Sequence, residues 1–359
     1  MRRKLLLAVI AVLLLGAVHT AYWFFLQREL AEGFARWAEG ARRSGFRVTE
    51  TSAKAGGWPF SVDLVIRDLV IEGAGGIADF EVGWRSPRTV LSLPLTNPYR
   101  LAIVPTGVQR LRAGAAPGIL VDGKQLQASL AFGAGHVPES LDVAGSTLTA
   151  RPAAGTPGGV ARPSGGAATD QGEQERDVVS IGMVQAHCDL AGDSDGLAFA
   201  SNAEAIVLPA AGKWPLGNRV SSVSVDGKLI GRLSDAATLA QWAAGWRDAG
   251  GALQVQKLSF GWGPLGVTAA ATLALDDQLQ PMGTGTARLI GYPAALDAMA
   301  ASGTLSRSAV IATKAILSLL SSSDSDAGEV EVPLTLQYRT LSIRQVPLVR
   351  LPEVDWGPR

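Results

Sequence analysis

One cysteine, Cys188, stands in 359 residues, which excludes a disulfide framework within the chain and any zinc site built from several thiolates. Charge imbalance is missing too: Lys+Arg 32 meets Asp+Glu 32. A nucleic-acid partner, which demands a basic face to displace counterions from phosphates, is therefore not expected. Histidine is scarce, at positions 19, 136 and 187 only. What the chain has in quantity is glycine, 42 residues of it, more than helical bundles tolerate and in keeping with strands joined by tight turns. Its length suits two ordinary domains or one extended β-rich body.

Residues 5–26 carry no charged side chain and follow a short basic stub, residues 1–4, with Arg2, Arg3 and Lys4. As a helix, this run reaches roughly 33 Å at about 1.5 Å per residue, enough for a hydrocarbon core of about 30 Å. A cleaved signal peptide and a retained anchor compete for it. Leu15-Gly16-Ala17 puts Leu where a cleavage site wants a small residue, whereas Tyr22, Trp23, Phe24 and Phe25 suit the aromatic belt of a membrane interface. The expectation is a single-pass inner-membrane anchor with its N-terminus in the cytoplasm and its body in the periplasm. His19 reads as a tolerated neutral side chain near the headgroups. Residues 27–45 form an amphipathic stalk with Leu30, Phe34, Trp37 and Ala41 on one stripe. Gly45 stops it. Because the other face is mixed in sign, the stalk is expected to dock on the body rather than on lipid.

Residues 46–150 read as strands. Val62, Leu64 and Ile66 alternate with polar residues, and after Asp68 the parity flips to Leu69 and Ile71, as a bulge requires. Phe80, Val82 and Trp84 alternate likewise, as do Leu126, Leu130 and Phe132. Such one-sided strands belong to antiparallel sheets. Residues 151–177, rich in Gly, Pro and Ala, cannot bury enough surface to order themselves and read as a disordered insertion, a long hairpin loop or a linker. Residues 178–350 resume the strand pattern, with an Asp226-Gly227 turn, helices near 235–248 (capped by Ser234 or Asp235) and 294–320, and the alternating Val267, Ala269, Ala271, Leu273 and Leu275; 351–359 form a tail. The Ala-rich face of that strand calls for a close neighbour. The fold class is mainly β with a few helices: an N-terminal transmembrane helix, then extended, curved antiparallel sheets under short covering helices.

Catalytic patterns fail one after another. Gly192-Asp193-Ser194-Asp195-Gly196 matches a nucleophile elbow, but every histidine precedes Ser194, so the hydrolase order cannot be met. Nor does it match a calcium loop, since Ala191 occupies the first carboxylate position. On a strand, His187 and Asp189 share one face and Cys188 takes the other, so the imidazole cannot activate the thiol. Gly283-Thr284-Gly285-Thr286 lacks the Lys of a phosphate loop. No catalytic residue, metal ligand or cofactor is assigned, and the chain is not expected to be an enzyme.

Short motifs spread along the chain carry a resemblance: Tyr22-Trp23, Trp37, Gly57-Trp58-Pro59-Phe60, Trp246-Arg247-Asp248-Ala249-Gly250-Gly251, Trp262-Gly263-Pro264-Leu265, Gln280-Pro281-Met282-Gly283 and Gly291-Tyr292. Together they resemble the bacterial family carried as domain of unknown function 2125, over nearly all of the chain except 151–177. That resemblance implies an inner-membrane-anchored envelope protein and brings no activity or catalytic residue. The glycine-punctuated strands are similar in style to AsmA-like envelope proteins, which implies a curved sheet offering an apolar groove to lipid. The expected function is to bind or transfer a lipid or other hydrophobic ligand, with Val62, Leu64, Ile66, Phe80, Val82, Trp84, Leu126, Leu130, Phe132 and Leu273 as candidate groove residues. Membrane lipid and other envelope proteins are the expected partners. An envelope scaffold that binds proteins through its sheet edges is the alternative.

Overall fold

The chain begins with α1, an unbroken helix over Arg2–Arg43. In the computed structural model, which describes residues 2–74, 81–114, 118–133, 137–153, 177–190, 196–231, 238–320, 329–343 and 346–356, α1 is long and apolar enough to cross a membrane. Gly45 (φ 93°) ends it, and the chain turns back into strands.

Eighteen described strands form one antiparallel sheet. They are β1 (Arg47–Thr49), β2 (Ser52–Gly56), β3 (Ser61–Ala74), β4 (Glu81–Pro94), β5 (Arg100–Thr106), β6 (Gln109–Ala113), β7 (Ile119–Asp122), β8 (Gln127–Phe132), β9 (Pro138–Pro152), β10 (Val179–Asp189) and β11 (Leu197–Val207). After them come β12 (Arg219–Ile230), β13 (Ala252–Trp262), β14 (Leu265–Leu275), β15 (Pro281–Ile290), β16 (Glu329–Gln337), β17 (Thr340–Ile343) and β18 (Val346–Arg350). Three further described helices lie between them: α2 (Leu239–Asp248), α3 (Tyr292–Ala301) and α4 (Arg307–Leu320). From β9 onward each strand pairs with the next in the chain. Before that, β1 and β2 share the edge of β3, β5 and β6 share the edge of β4, and β7 and β8 share the edge of β9.

Those interruptions line up. Between β3 and β4 the register skips Asp68; between β9 and β10 it skips Thr147 and Gly182; between β10 and β11, Gly182 and Ala205; between β11 and β12, Ala205 and Ser221. The line ends at the bulge where β12 meets Gly261. Along it Asp68, Thr147 and Ala205 hold left-handed backbone angles of φ 50°, 51° and 53°, and Gly182 is kept small because a Cβ there would lie 2.8 Å from that of Ala205. A transverse crease thus crosses the sheet, and the inward-facing residues change parity at it: Ile66 and Leu69 both face in, as the flip read after Asp68 requires. Threonine is a poor residue for that conformation. Thr147→Gly is expected to stabilise the protein by about 1 kcal/mol, the released strain exceeding glycine's entropic cost, and thermal unfolding reads it as a raised Tm.

Three helical covers make the core. The outer half of α1 buries Trp23, Leu26, Leu30 and Ala38 against Val48, Val62, Leu64, Ile66, Leu69 and Leu91. The stalk therefore docks on the body, with one change of membership: Trp37 is 50% exposed and Ala38 takes its place, since the buried spacing 30, 34, 38 is the i, i+4 row. Near the other end of the sheet α2 packs Ala240, Ala243 and Trp246 on Leu275 and Leu279. Tyr292 of α3 and Leu317 of α4 join Ala287, Val330, Val332 and Ile343. Ala269 of the small-faced β14 lies against this last group.

Two sequence readings need correction. Asp226-Gly227 is not a turn but a bulge inside β12; glycine is needed there because a Cβ would sit 2.7 Å from the Phe199 ring. The α2 cap is Thr238, whose hydroxyl accepts from the Gln241 amide; Ser234 and Asp235 lie outside the described residues. So do His136, Phe80, residues 192–195 of the elbow-like loop and residues 154–176 of the predicted insertion.

Candidate functional site: the uncovered apolar face

Cross-strand partners share a face of a sheet, so registers can be chained from strand to strand. Leu64 stands opposite Leu91, then in turn Ile103, Ala128, Val143, Ala186, Ser201, Val225, Leu258, Ala269, Ala287 and Val332. Eleven of those twelve are apolar. A neighbouring row runs Leu101, Leu130, Leu141, Cys188, Phe199 and Gly227. The apolar face is thus continuous from β3 to β16, and buried strand residues under the helices, such as Leu64, Leu91, Ala287 and Val332, belong to it.

Among the described residues the covers do not extend across its middle. Among the described residues none of the three clusters takes a fully buried residue from β6 to β13, and α2 reaches β12 and β13 only through half-buried Leu229 and Leu253 at their ends. Over those strands Leu130, Leu141, Val143, Val184, Phe199, Val223 and Val225 remain half-buried and Leu258 is 36% exposed. Seven successive strand positions at about 4.8 Å spacing make this trough roughly 29 Å across. At one margin Phe260, Trp262 and Trp214 meet edge to face, with ring centroids 6.2 and 6.4 Å apart. Trp214 and Trp262 donate to the carbonyls of Pro209 and Gly217, an aromatic rim locked to the backbone.

The opposite face is polar. Ser129, Asp142, His187, Ala200, Asp226 and Lys257 form one cross-strand row on it. Asp142 accepts from His187 Nδ1 at 2.7 Å and from Arg100 at 2.8 Å beside a cleft of about 620 Å³. Sequence reading missed Arg100 and Asp142, because their pairing depends on registers 42 and 45 residues long. Arg100 and Asp142 form a solvent-accessible ion pair, as on any solvated sheet face. Among the described residues no three His, Cys, Asp or Glu side chains gather as a metal ion would need.

Cys188 lies on the apolar face and His187 on the polar one, as strand alternation requires. Burial, with the neighbouring Asp189 charge second, pushes its thiol above the usual range. The sole cysteine is thus a reporter inside the trough. Its alkylation at neutral pH is expected to run slower than that of a free thiol, to accelerate only at higher pH as the thiolate forms, and to slow further when an apolar ligand fills the trough; maleimide labelling followed by intact mass checks each.

The candidate groove residues divide among three places. Val62, Leu64 and Ile66 are sealed under α1, and Trp84 packs beside them with its indole donating to Gln109. Val82, 41% exposed, faces the same way at the margin. Leu126, Leu130 and Phe132 lie half-buried at β8, in or beside the uncovered part, and Leu273 sits half-buried on β14 between Leu253 and Gly283. Of the interfacial four, Tyr22, Phe24 and Phe25 are exposed, whereas Trp23 is on the buried stripe and donates to the Ser61 carbonyl at 2.7 Å.

Residues 23–352 match the family model described as an uncharacterised protein conserved in bacteria (DUF2125). The chain belongs to that family. No curated protein and no solved structure matches it. Some of the short motifs of this DUF2125 chain are seam residues in three dimensions, whereas Trp37, Trp58 and Phe60 are exposed. The Trp246 indole donates to Ile230 and is embraced by Gly251, where a Cβ would lie 2.4 Å from the ring. Gln280 is bonded through both ends of its amide to the backbone of Val354, and Tyr292 is buried beneath the last sheet strands. They fasten α2, α3 and the tail to the sheet.

Proposed function

We propose that this protein is a non-enzymatic, inner-membrane-anchored envelope protein that holds or passes a lipid, or another elongated apolar molecule, on the uncovered face of β6–β13. The observation that carries the reading is the mismatch of extent: a continuous apolar face with helical covers only near its two ends. Leaving that much one-sided apolar surface in water is unfavourable, and an exposed patch of this kind marks a binding surface. The basic stub ahead of residues 5–26 supports a cytoplasmic N-terminus and a periplasmic body. Docking of α1 then holds the trough near the membrane, where a lipid ligand is at hand.

The edge-binding scaffold gains less support. Edge strand β18 is five residues long and carries Pro347, a blunted edge rather than a template for strand addition.

Native mass spectrometry of the full chain, released from detergent and followed by organic extraction, tests the proposal. A lipid carried stoichiometrically is the expected result; empty protein from both native membranes and lipid-supplemented preparations would sink it.

A further inference from the structure

The turn between β2 and β3 holds two of the most exposed aromatic residues on the body, Trp58 at 59% and Phe60 at 85%. Neither packs into any of the clusters. The backbone between and beyond them is fixed to α1. His19 Nε2 lies 2.7 Å from the Pro59 carbonyl oxygen, and because a carbonyl only accepts, that nitrogen is the donor. One turn further on, the Trp23 indole donates to the Ser61 carbonyl.

Both contacts fall within the charge-free run 5–26, and His19 lies about 10 Å before its end at about 1.5 Å per residue. A turn bonded at that depth cannot stand clear of the membrane if α1 crosses it. The turn's composition agrees with that position, for no charged residue occurs from 55 to 62 or from 89 to 99. The second stretch is the adjoining β4–β5 connection: Leu95 bonds the Phe60 carbonyl, and Tyr99, 57% exposed, stands on it. Exposed Tyr22, Phe24 and Phe25 lie on the helix alongside. Without a bilayer the site would be an unexplained cluster of bare aromatics; within one it is an interfacial belt contributed by helix and body together.

We infer that the Trp58-Pro59-Phe60 turn is a second membrane contact, seated in the interface of the bilayer that α1 crosses and fixing the sheet's attitude to that surface. The inference rests on the anchor reading and adds that the body is not on a free tether. It also gives His19 a role, since the histidine's N–H finds its acceptor in the inserted turn rather than in lipid.

The test uses the full chain in phosphatidylethanolamine–phosphatidylglycerol vesicles, in a Cys188→Ala background, with one cysteine at a time introduced as Leu13→Cys, Phe60→Cys or Lys213→Cys and labelled with a fluorophore. Lys213 is exposed in the β11–β12 turn, at the opposite end of the strands. Lipids carrying a nitroxide on the acyl chain are expected to quench positions 13 and 60 and to spare 213. Quenching at 13 with position 60 behaving like 213 would overturn the inference and leave the anchor standing, the turn then being free or covered by another protein. No quenching at 13 would remove the anchor and the inference with it. Phe60 is exposed, so its substitution should not disturb folding, and circular dichroism of each labelled variant verifies that.

Discussion

Val184→Asp is expected to cut the lipid carried by the purified protein on the order of a hundredfold while leaving the fold in place. Val184 faces the trough from β10, opposite Gly145 on one side and Ala203 on the other, and is half-buried, outside the clusters formed by the described helices. A carboxylate there keeps access to water in the empty protein, so the cost to folding is small. Against acyl chains it must be dehydrated or left unpaired, and a charge among lipid tails costs about 2.5–3.5 kcal/mol on insertion scales. That difference corresponds to a factor on the order of a hundred in occupancy. Lipid extraction per mole of protein, together with the melting temperature, decides between this and a plain structural role. If lipid is retained, or if lipid and folding are lost together, the trough is not the binding surface.

The same substitution on the same face, five strand positions away, should do the reverse. Ile66 is fully buried beneath α1, with Val62, Leu64 and Leu30 in the same cluster. Ile66→Ala is expected to destabilise the body by about 2–5 kcal/mol through the cavity it leaves. Ile66→Asp strands a carboxylate with no partner and should exceed that, releasing the stalk from β3. Urea unfolding followed by tryptophan fluorescence measures both, since Trp23 lies in the affected cluster. Equal and mild effects at 66 and 184 would mean that α1 does not seal the first strands.

These two residues show how far the sequence reaches. Val62, Leu64 and Ile66 present an alternation, and so does the run around Val143 and Val184; period-two patterning names the apolar face of a strand and is silent about what lies on it. Four of the ten candidate groove residues accordingly lie packed in the α1 cluster, because the covering helix comes from residues 23–41, at a distance no local pattern encodes. Val143 and Val184 are not among those ten, since around them the alternation is weakened by the small residues Gly145, Ala186, Ser201 and Ala203. Trp37 and Ala38 exchanged places for a similar reason: an amphipathic stripe is about 100° wide, and only the partner surface chooses its centre.

Much was decided locally all the same. The charge-free run of 5–26, the stop at Gly45, the bulge at Asp68 and the separation of Cys188 from His187 all follow from short-range rules of helix length, positive φ and strand parity. Glycine abundance with balanced charge pointed to an antiparallel β-body, and the motif set to its family. The tertiary structure alone decided that the strands linked from β3 to β16 turn their apolar sides to one common face, that a crease runs across the sheet through Asp68, Thr147, Gly182 and Ala205, and that the four described helices cover the face toward its ends and not over β8 to β11. The physical reason is that strand parity and helix periodicity are set by neighbours in the chain, whereas coverage is set by which distant elements compete for the same surface, and that competition is resolved only when the whole sheet is assembled.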